Sequence, residues 1–400
     1  MTDFPRLLVA TEFPPNSPGG GGAVIRQMLK DWPAAKLSWW SCARDPNDLF
    51  GRKVAEHCVA AIPPKLYPNR RWPAQKSWLL EKAWVPWAAR HLVKTLARLK
   101  PDAVWVVPHG WSIPPLAHVL PQAGTAFHVS VHDYADTQSA IARFGADRMK
   151  RMAAMAEQLF DAATTRDAIC RALVDDLRAR TGQDGSVNRA GLEDEDFDYL
   201  AISPVTQNGT IRIAYAGTII AQKTFVAFVR ALGQVRKQIP QPVTLEFFGD
   251  HSYRTQEWFA PDWMKEHGNL AAPELSRALK ECTWGFAPME LTDDNPRYNR
   301  FSLPTKFVSY LAAGLPIITL GHPESTTVQM ASEYDVGLCA TSAETLTAQL
   351  PAALSAANPK SKYRPEIQRC ALTEFDARRM RTALYENFRK CASTTRGRSR

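Results

Sequence analysis

Two lysines stand where a protein ordinarily favours negative charge. Lys306 lies in FSLPTKFVSYLAAGLPIIT, residues 301–319, which reads as a helix followed by a buried strand. Ser302 would cap the helix, Pro304 suits its first turn, Gly314 its end, and Pro316 prevents continuation. The first turn of a helix offers free N–H groups and the positive end of the dipole. Lys223 lies in GTIIAQKTFVAFVRAL, residues 217–232, at the start of another expected helix just beyond a strand. A single such lysine is ordinarily solvated at a loop–helix junction. Two placed alike suggest a shared anion, and a diphosphate between two helix starts would account for both.

Two further stretches could do chemistry. Gly19 to Gly22 fall between the first expected strand and the first helix, where glycines let backbone N–H groups approach a bulky ligand. The spacing is a poor GxGxxG, with Ile25 at the third position, and there is no GK[ST], so a surface turn is the plain reading. His132 and Asp133 follow a strand at its carboxyl end; such a pair can move a proton or hold a sugar hydroxyl, or merely cap a loop.

These residues need a scaffold. Strands are expected at 7–11, 36–40, 102–107 and 126–131, with helices at 23–31, 88–99 and 167–180. After an acidic connection and a turn at 207–210 the alternation restarts: strands at 211–217, 243–250, 283–288 and 316–319, helices at 223–238, 273–280, 302–314 and 344–354, and a last helix at 378–391. Two successive βα runs predict an α/β protein of two doubly wound parallel sheets, which bind ligands beyond the carboxyl ends of their strands. The expected division is 1–190, 191–375, and a C-terminal helix and tail at 376–400 returning toward the first domain.

Composition sets the class. Four hundred residues with 45% hydrophobic and 22% charged content suit a globular protein of two domains. No apolar run is long enough to cross a bilayer, and the start lacks the pattern of a signal peptide. The seven scattered cysteines show no metal-ligand spacing, so a reducing cytosol and no metal are expected. A net charge of +9 suits an anionic partner. No nucleic-acid-binding motif appears, so nucleic acid is not the expected one.

The motifs together resemble the GT-B glycosyltransferases, particularly glycosyltransferase family 4, over nearly the whole chain. They are PPNSPGGGGA (14–23), VHDY (131–134), NRAGLEDEDF (188–197), YAGTIIAQKT (215–224) and, most specifically, LPTKFVSYLAAGLPII (303–318). The resemblance implies two Rossmann-like domains facing a central cleft. It implies a nucleotide-diphosphate sugar donor, an acceptor held by the first domain, and metal-independent transfer with retention of configuration. Lys223, Lys306 and N–H groups near Thr305 would stabilise the leaving diphosphate; Gly20, Gly21, Gly22, Gly217 and Thr218 would line the donor. Three departures stand out. Ser309 replaces the glutamate that binds ribose, Thr218 replaces an arginine, and TDDNPRYNR (292–300) replaces an EGFG segment. Arg297, Asn299 or Arg300 is expected to take over donor contacts. An inverting enzyme would need a base, for which Asp133 is the choice. The alternatives are a nucleotide-sugar epimerase and a non-catalytic donor-binding subunit.

The acceptor side is expected near residues 67–100, where Arg70, Arg71, Trp72, Lys76, Trp78 and Trp84 mix aromatic and basic groups. That mixture suits the surface of an anionic membrane. A lipid-linked or envelope glycan is therefore the expected acceptor, and a cytoplasmic protein peripheral to the membrane the expected setting. Ala89, Leu92, Val93, Leu96 and Leu99 read as an apolar stripe packed on the sheet.

Overall fold

A computed structural model describes residues 4–15, 20–43, 54–67, 71–196, 209–294 and 296–398. The chain divides into two compact units, Met1–Ala190 with Ala377–Arg400, and Gly191–Asp376.

In the first unit seven strands form one sheet: β1 (Leu7–Thr11), β2 (Leu37–Ser41), β3 (Glu56–Val59), β4 (Ala103–Val106), β5 (Phe127–Val131), β6 (Thr165–Ala168) and β7 (Ser186–Val187). Their order is β3-β2-β1-β4-β5-β6-β7, and every pairing is parallel. β1, β4 and β5 are buried at every position, as strands covered on both faces must be. The helix Ala377–Arg398 supplies part of that cover, placing Leu384 and Phe388 against Val9, Trp39 and Trp105.

In the second unit the strands are β8 (Ile211–Ala216), β9 (Val243–Phe248), β10 (Met264–Glu266), β11 (Trp284–Pro288), β12 (Ile317–Leu320) and β13 (Gly337–Ala340). They pair in parallel in the order β10-β9-β8-β11-β12-β13. The chain builds outward on one side of the first strand, then returns and builds on the other. The reversal falls between β1 and β4 in the first unit and between β8 and β11 in the second. Such a reversal leaves a crevice beyond the strand ends because the flanking connections run to opposite faces.

At the second reversal the two strands pair over only Ile213–Trp284 and Ala214–Gly285. Tyr310, fully buried, fills the breach. Its hydroxyl accepts from the Ala216 N–H at 3.0 Å and shares its own proton between the Ala214 and Phe286 carbonyls, each at 3.2 Å. Gly285 allows the ring in, since a Cβ there would lie 2.4 Å from it.

Three expectations are corrected. The helix expected from residue 167 begins at Arg171, because Asp167 lies within β6, where His128 Nε2 meets it at 2.9 Å in the core. Ser302 caps nothing: the helix is Thr305–Ala312 with Pro304 at the cap position, and a short helix, Pro296–Phe301, precedes it within the expected insertion. The apolar stripe holds at Leu92 and Leu96, but Val93 is 51% exposed. All seven cysteines are free thiols. Among the described residues no helix is long and apolar enough to cross a membrane, and no three His, Cys, Asp or Glu side chains gather to hold a metal ion.

Candidate functional site

The rim of the second sheet is built from the ends of β8 and β11 and the helix starts that follow them. Gly217 follows β8; its φ of +83° turns the chain while its N–H donates to the Phe248 carbonyl at 2.7 Å. The helix Gln222–Val235 follows, with Lys223, exposed, as its second residue. Beyond β11, the Leu291 N–H donates to Thr224 Oγ1 at 3.2 Å, closing that segment onto the start of the helix. Glu290 sits in the same segment; desolvation raises its pKa and the charge of Lys223 opposes the rise.

Lys306 is the second residue of the helix Thr305–Ala312 and is half-buried. Its Nζ donates to Tyr215 Oη at 2.8 Å and to the Thr218 carbonyl at 3.3 Å, and lies 4.1 Å from the centre of the Tyr215 ring. The Tyr215 hydroxyl in turn donates to the same Thr218 carbonyl at 2.9 Å. Among the described residues no carboxylate pairs with this ammonium, and desolvation pushes its pKa down to about 7. A partly dehydrated cation with only neutral oxygens around it is poised for an anion.

The other expected donor residues fall around these. Thr305 opens the helix, exposed, and its carbonyl accepts from Ser309 Oγ at 3.2 Å. Thr218 Oγ1 lies 3.4 Å from His251 Nδ1. Arg300 is turned to acids: its Nε donates to Glu324 at 2.7 Å, and Asp293 lies 3.8 Å from it. Asn299 is buried and donates to the Thr292 carbonyl at 2.9 Å, so it ties down its own segment.

The rim of the first sheet has a different character. Gly20, Gly21 and Gly22 form the first turn of the helix Gly20–Met28. Glu12 follows β1, His109 follows β4, and His132 and Asp133 follow β5. Glu12 Oε1 accepts from the Trp111 N–H at 3.1 Å. Gly110, at φ +43°, lets the carboxylate lie against the backbone, since a Cβ would come within 2.3 Å of Oε2. The His109 and His132 rings are 6.2 Å apart at a steep angle. Desolvation raises the Glu12 pKa, holds His109 down to about 4, and lowers His132 despite the opposing field of Asp167. It also lifts Asp133 to about 6, although that residue keeps an exposed surface. Near neutral pH this rim carries uncharged imidazoles beside a carboxylate whose pKa suits a general base.

The aromatic segment is partly as expected. Trp72 is 73% and Trp78 55% exposed, with Arg71 exposed beside them and Lys76 half-buried; Arg70 lies outside the described residues. Trp84 is a correction: it is 4% exposed, and its Nε1 donates to the Ala61 carbonyl at 3.2 Å. Residues Leu80–Trp84 wind as a π-turn between the helices Pro73–Leu79 and Val85–Leu99. The wider turn shifts the register and carries Trp84 inward, leaving Trp87 on the outside.

Residues 214–361 match the family model described as glucosyltransferase 3-like, C-terminal domain. Most of the second unit therefore resembles a glycosyltransferase C-terminal domain. The match runs from β8 to the helix Pro359–Glu374 and includes Tyr215, Lys223, Glu290 and Lys306. Among solved structures, the α,α-trehalose 6-phosphate synthase of Burkholderia multivorans matches with a TM-score of 0.66 at 14% identity, over 100% of this chain and 99% of its own. The sucrose-phosphate synthase of Thermosynechococcus elongatus matches at 0.68 and 14%, over 96% and 98%. Anabaena HepE, solved with UDP and glucose, matches at 0.65 and 13%, over 95% and 98%. These likenesses establish the GT-B fold for the chain. No curated protein matches it by sequence.

The sequence reading passed over Tyr215, Glu290, Glu12 and His109. Each sits at, or just beyond, the carboxyl end of a strand beside a reversal of strand order. Only Glu12 directly follows its strand, and a polar residue there is too common to mark a site; Tyr215 lies within β8, and Glu290 and His109 come two and three residues past β11 and β4.

Proposed function

We propose that the protein transfers a glycosyl group from a nucleotide-diphosphate sugar to a hydroxyl of a glycan or lipid-linked acceptor. The observation that carries this reading is the Lys306 ammonium, held at 2.8 Å from Tyr215 Oη at a helix start without a carboxylate partner. A diphosphate leaving group develops negative charge as the glycosidic bond breaks. Lys306, Lys223 and the free N–H groups of both helix starts stabilise that charge in the role a metal ion plays elsewhere. HepE was solved with UDP and glucose, which makes UDP-glucose the first donor to try. On the other sheet, Asp133 and His132 hold and polarise the acceptor hydroxyl by hydrogen bonding. Retention of the anomeric configuration is the stereochemistry proposed, read by NMR of the product's anomeric proton.

The acceptor is proposed to come from a membrane. Trp72, Trp78 and Trp87 stand exposed among Arg71, Lys82, Arg90 and Lys94, a mixture that fits an anionic lipid surface.

A thermal-shift series across UDP, GDP, ADP and TDP tests the donor reading. A ligand that binds only the folded chain at 100 times its Kd adds about 2.7 kcal/mol to stability. One nucleotide is therefore expected to raise Tm by several degrees. No shift with any of the four would contradict the proposal, and conversion of donor alone to an epimer would replace transfer with epimerisation.

A further inference from the structure

Lys306 is unusual less for where it sits than for what holds it. An ammonium drawn partly out of water ordinarily meets a carboxylate. Here it rests on the face of a tyrosine, and both its acceptors, Tyr215 Oη and the Thr218 carbonyl, are neutral. Tyr215 is itself immobile. Its ring is 1% exposed and packs edge-on against Phe225, with centroids 4.8 Å apart, and its hydroxyl is fixed by the Thr218 carbonyl. The lysine tip is thus aimed by a rigid platform 91 residues away in sequence.

We propose that Tyr215 is a positioning residue that keeps Lys306 aimed but without countercharge, so that donor binding supplies the countercharge and draws a proton from solvent onto the Lys306 amine. The inference rests on the donor reading above. It adds that the site is loaded by proton uptake, and that affinity for the donor is set by pH through one lysine. The surrounding groups fit this. Tyr253, Tyr298 and Tyr310 are the phenols whose fields reach Tyr215. His251, held by Asp250, borders Thr218, and Glu290 faces Lys223 rather than Lys306. Desolvation of the amine acts in the same direction.

UDP-glucose is a suitable probe, because its doubly esterified diphosphate does not titrate in the neutral range. Calorimetric titration in two buffers of different ionisation heat counts the protons taken up. Binding should take up almost none near pH ~6 and about one near pH ~8.5, with affinity falling about tenfold per pH unit above ~7. Lys306→Arg, always charged, should bind without uptake and without the fall. Tyr215→Phe keeps the ring but removes the acceptor oxygen, so its affinity should begin to fall at lower pH; a merely structural role would leave that profile in place. His251→Gln is the control and should retain the wild-type uptake. Absence of uptake near pH ~8.5, uptake persisting in Lys306→Arg, or a Tyr215→Phe profile superposed on the wild type would each overturn the proposal.

A ligand-free arm separates this from the donor reading. If UDP-glucose does not bind at all, that reading fails, but the Lys306 Cε resonance can still be titrated by NMR. A midpoint near 7 that drops in Tyr215→Phe supports the inference; a midpoint at the ordinary lysine value, about 10.4, sinks it.

Discussion

The two sheet rims share one topology and carry opposite chemistry. In both units the strand order reverses beside the first strand, and in both the chain places polar side chains just past the strands flanking that point. The first rim collects Glu12, His109, His132 and Asp133, with desolvation pushing the acids up and the imidazoles down. The second collects Lys223 and Lys306 at helix starts, with neutral oxygens around the latter. The fold therefore supplies a location and leaves the chemistry to a handful of side chains. A rim of neutral imidazoles and a poised carboxylate suits work on a hydroxyl. A rim with two ammonium groups, that of Lys306 without a carboxylate partner among the described residues, suits the leaving diphosphate proposed above.

The comparison can be broken most forcefully at Asp133. Asp133→Asn should lower the rate of transfer by about 10²- to 10⁴-fold while leaving nucleotide affinity unchanged. In the wild type the same carboxylate should make the rate rise as pH increases through about 6, where Asp133 loses its proton, and the asparagine variant should lose that limb. Equal loss of nucleotide binding would show that the two rims do not divide the work.

Tyr310→Phe sharpens the comparison from the structural side. The variant leaves the Ala216 N–H without its acceptor inside the sheet, at a cost of about 1–3 kcal/mol in denaturant unfolding. An unchanged midpoint would mean that the breach between β8 and β11 closes without the hydroxyl. A smaller effect is expected at Trp72 and Trp78. Replacing both with serine should weaken pelleting with anionic vesicles several-fold and leave transfer to a soluble acceptor intact; equal pelleting would remove the membrane from the account. A further effect concerns the pH dependence of stability. The Lys306 pKa is depressed in the folded state, so the unfolded chain binds the extra proton between pH about 7 and about 10.4. Stability should rise with pH across that window, and the rise should be shallower in Lys306→Met.

Much of the scaffold was legible because its central strands are five or six residues long and mostly apolar, with a lone Arg212 or Glu246 in the two longest. LLVAT, IRIAYA and VTLEFF could be little else. The short strands EHCV, TRDA, MKE and GLCA were not, since a charged residue or a glycine breaks each run and only the neighbouring strand makes it a strand. TRDA is the clearest case: Asp167 is tolerated in the core because His128, 39 residues earlier, hydrogen-bonds to it. The two lysines could be found because helix starts have local signatures. Tyr215 and Glu12 could not, because their partners Lys306 and Trp111 are 91 and 99 residues away. Trp84 misled because a π-turn has no sequence signature comparable to a cap or a proline.

The central claim is that Lys223 and Lys306 together hold the donor diphosphate. Calorimetric titration of UDP into the wild type, Lys223→Ala, Lys306→Ala and the double variant tests it most directly. The account predicts losses of about 10- to 100-fold for each single change, the larger at Lys306, and non-additivity in the double. UDP binding with wild-type affinity to both single variants would contradict it.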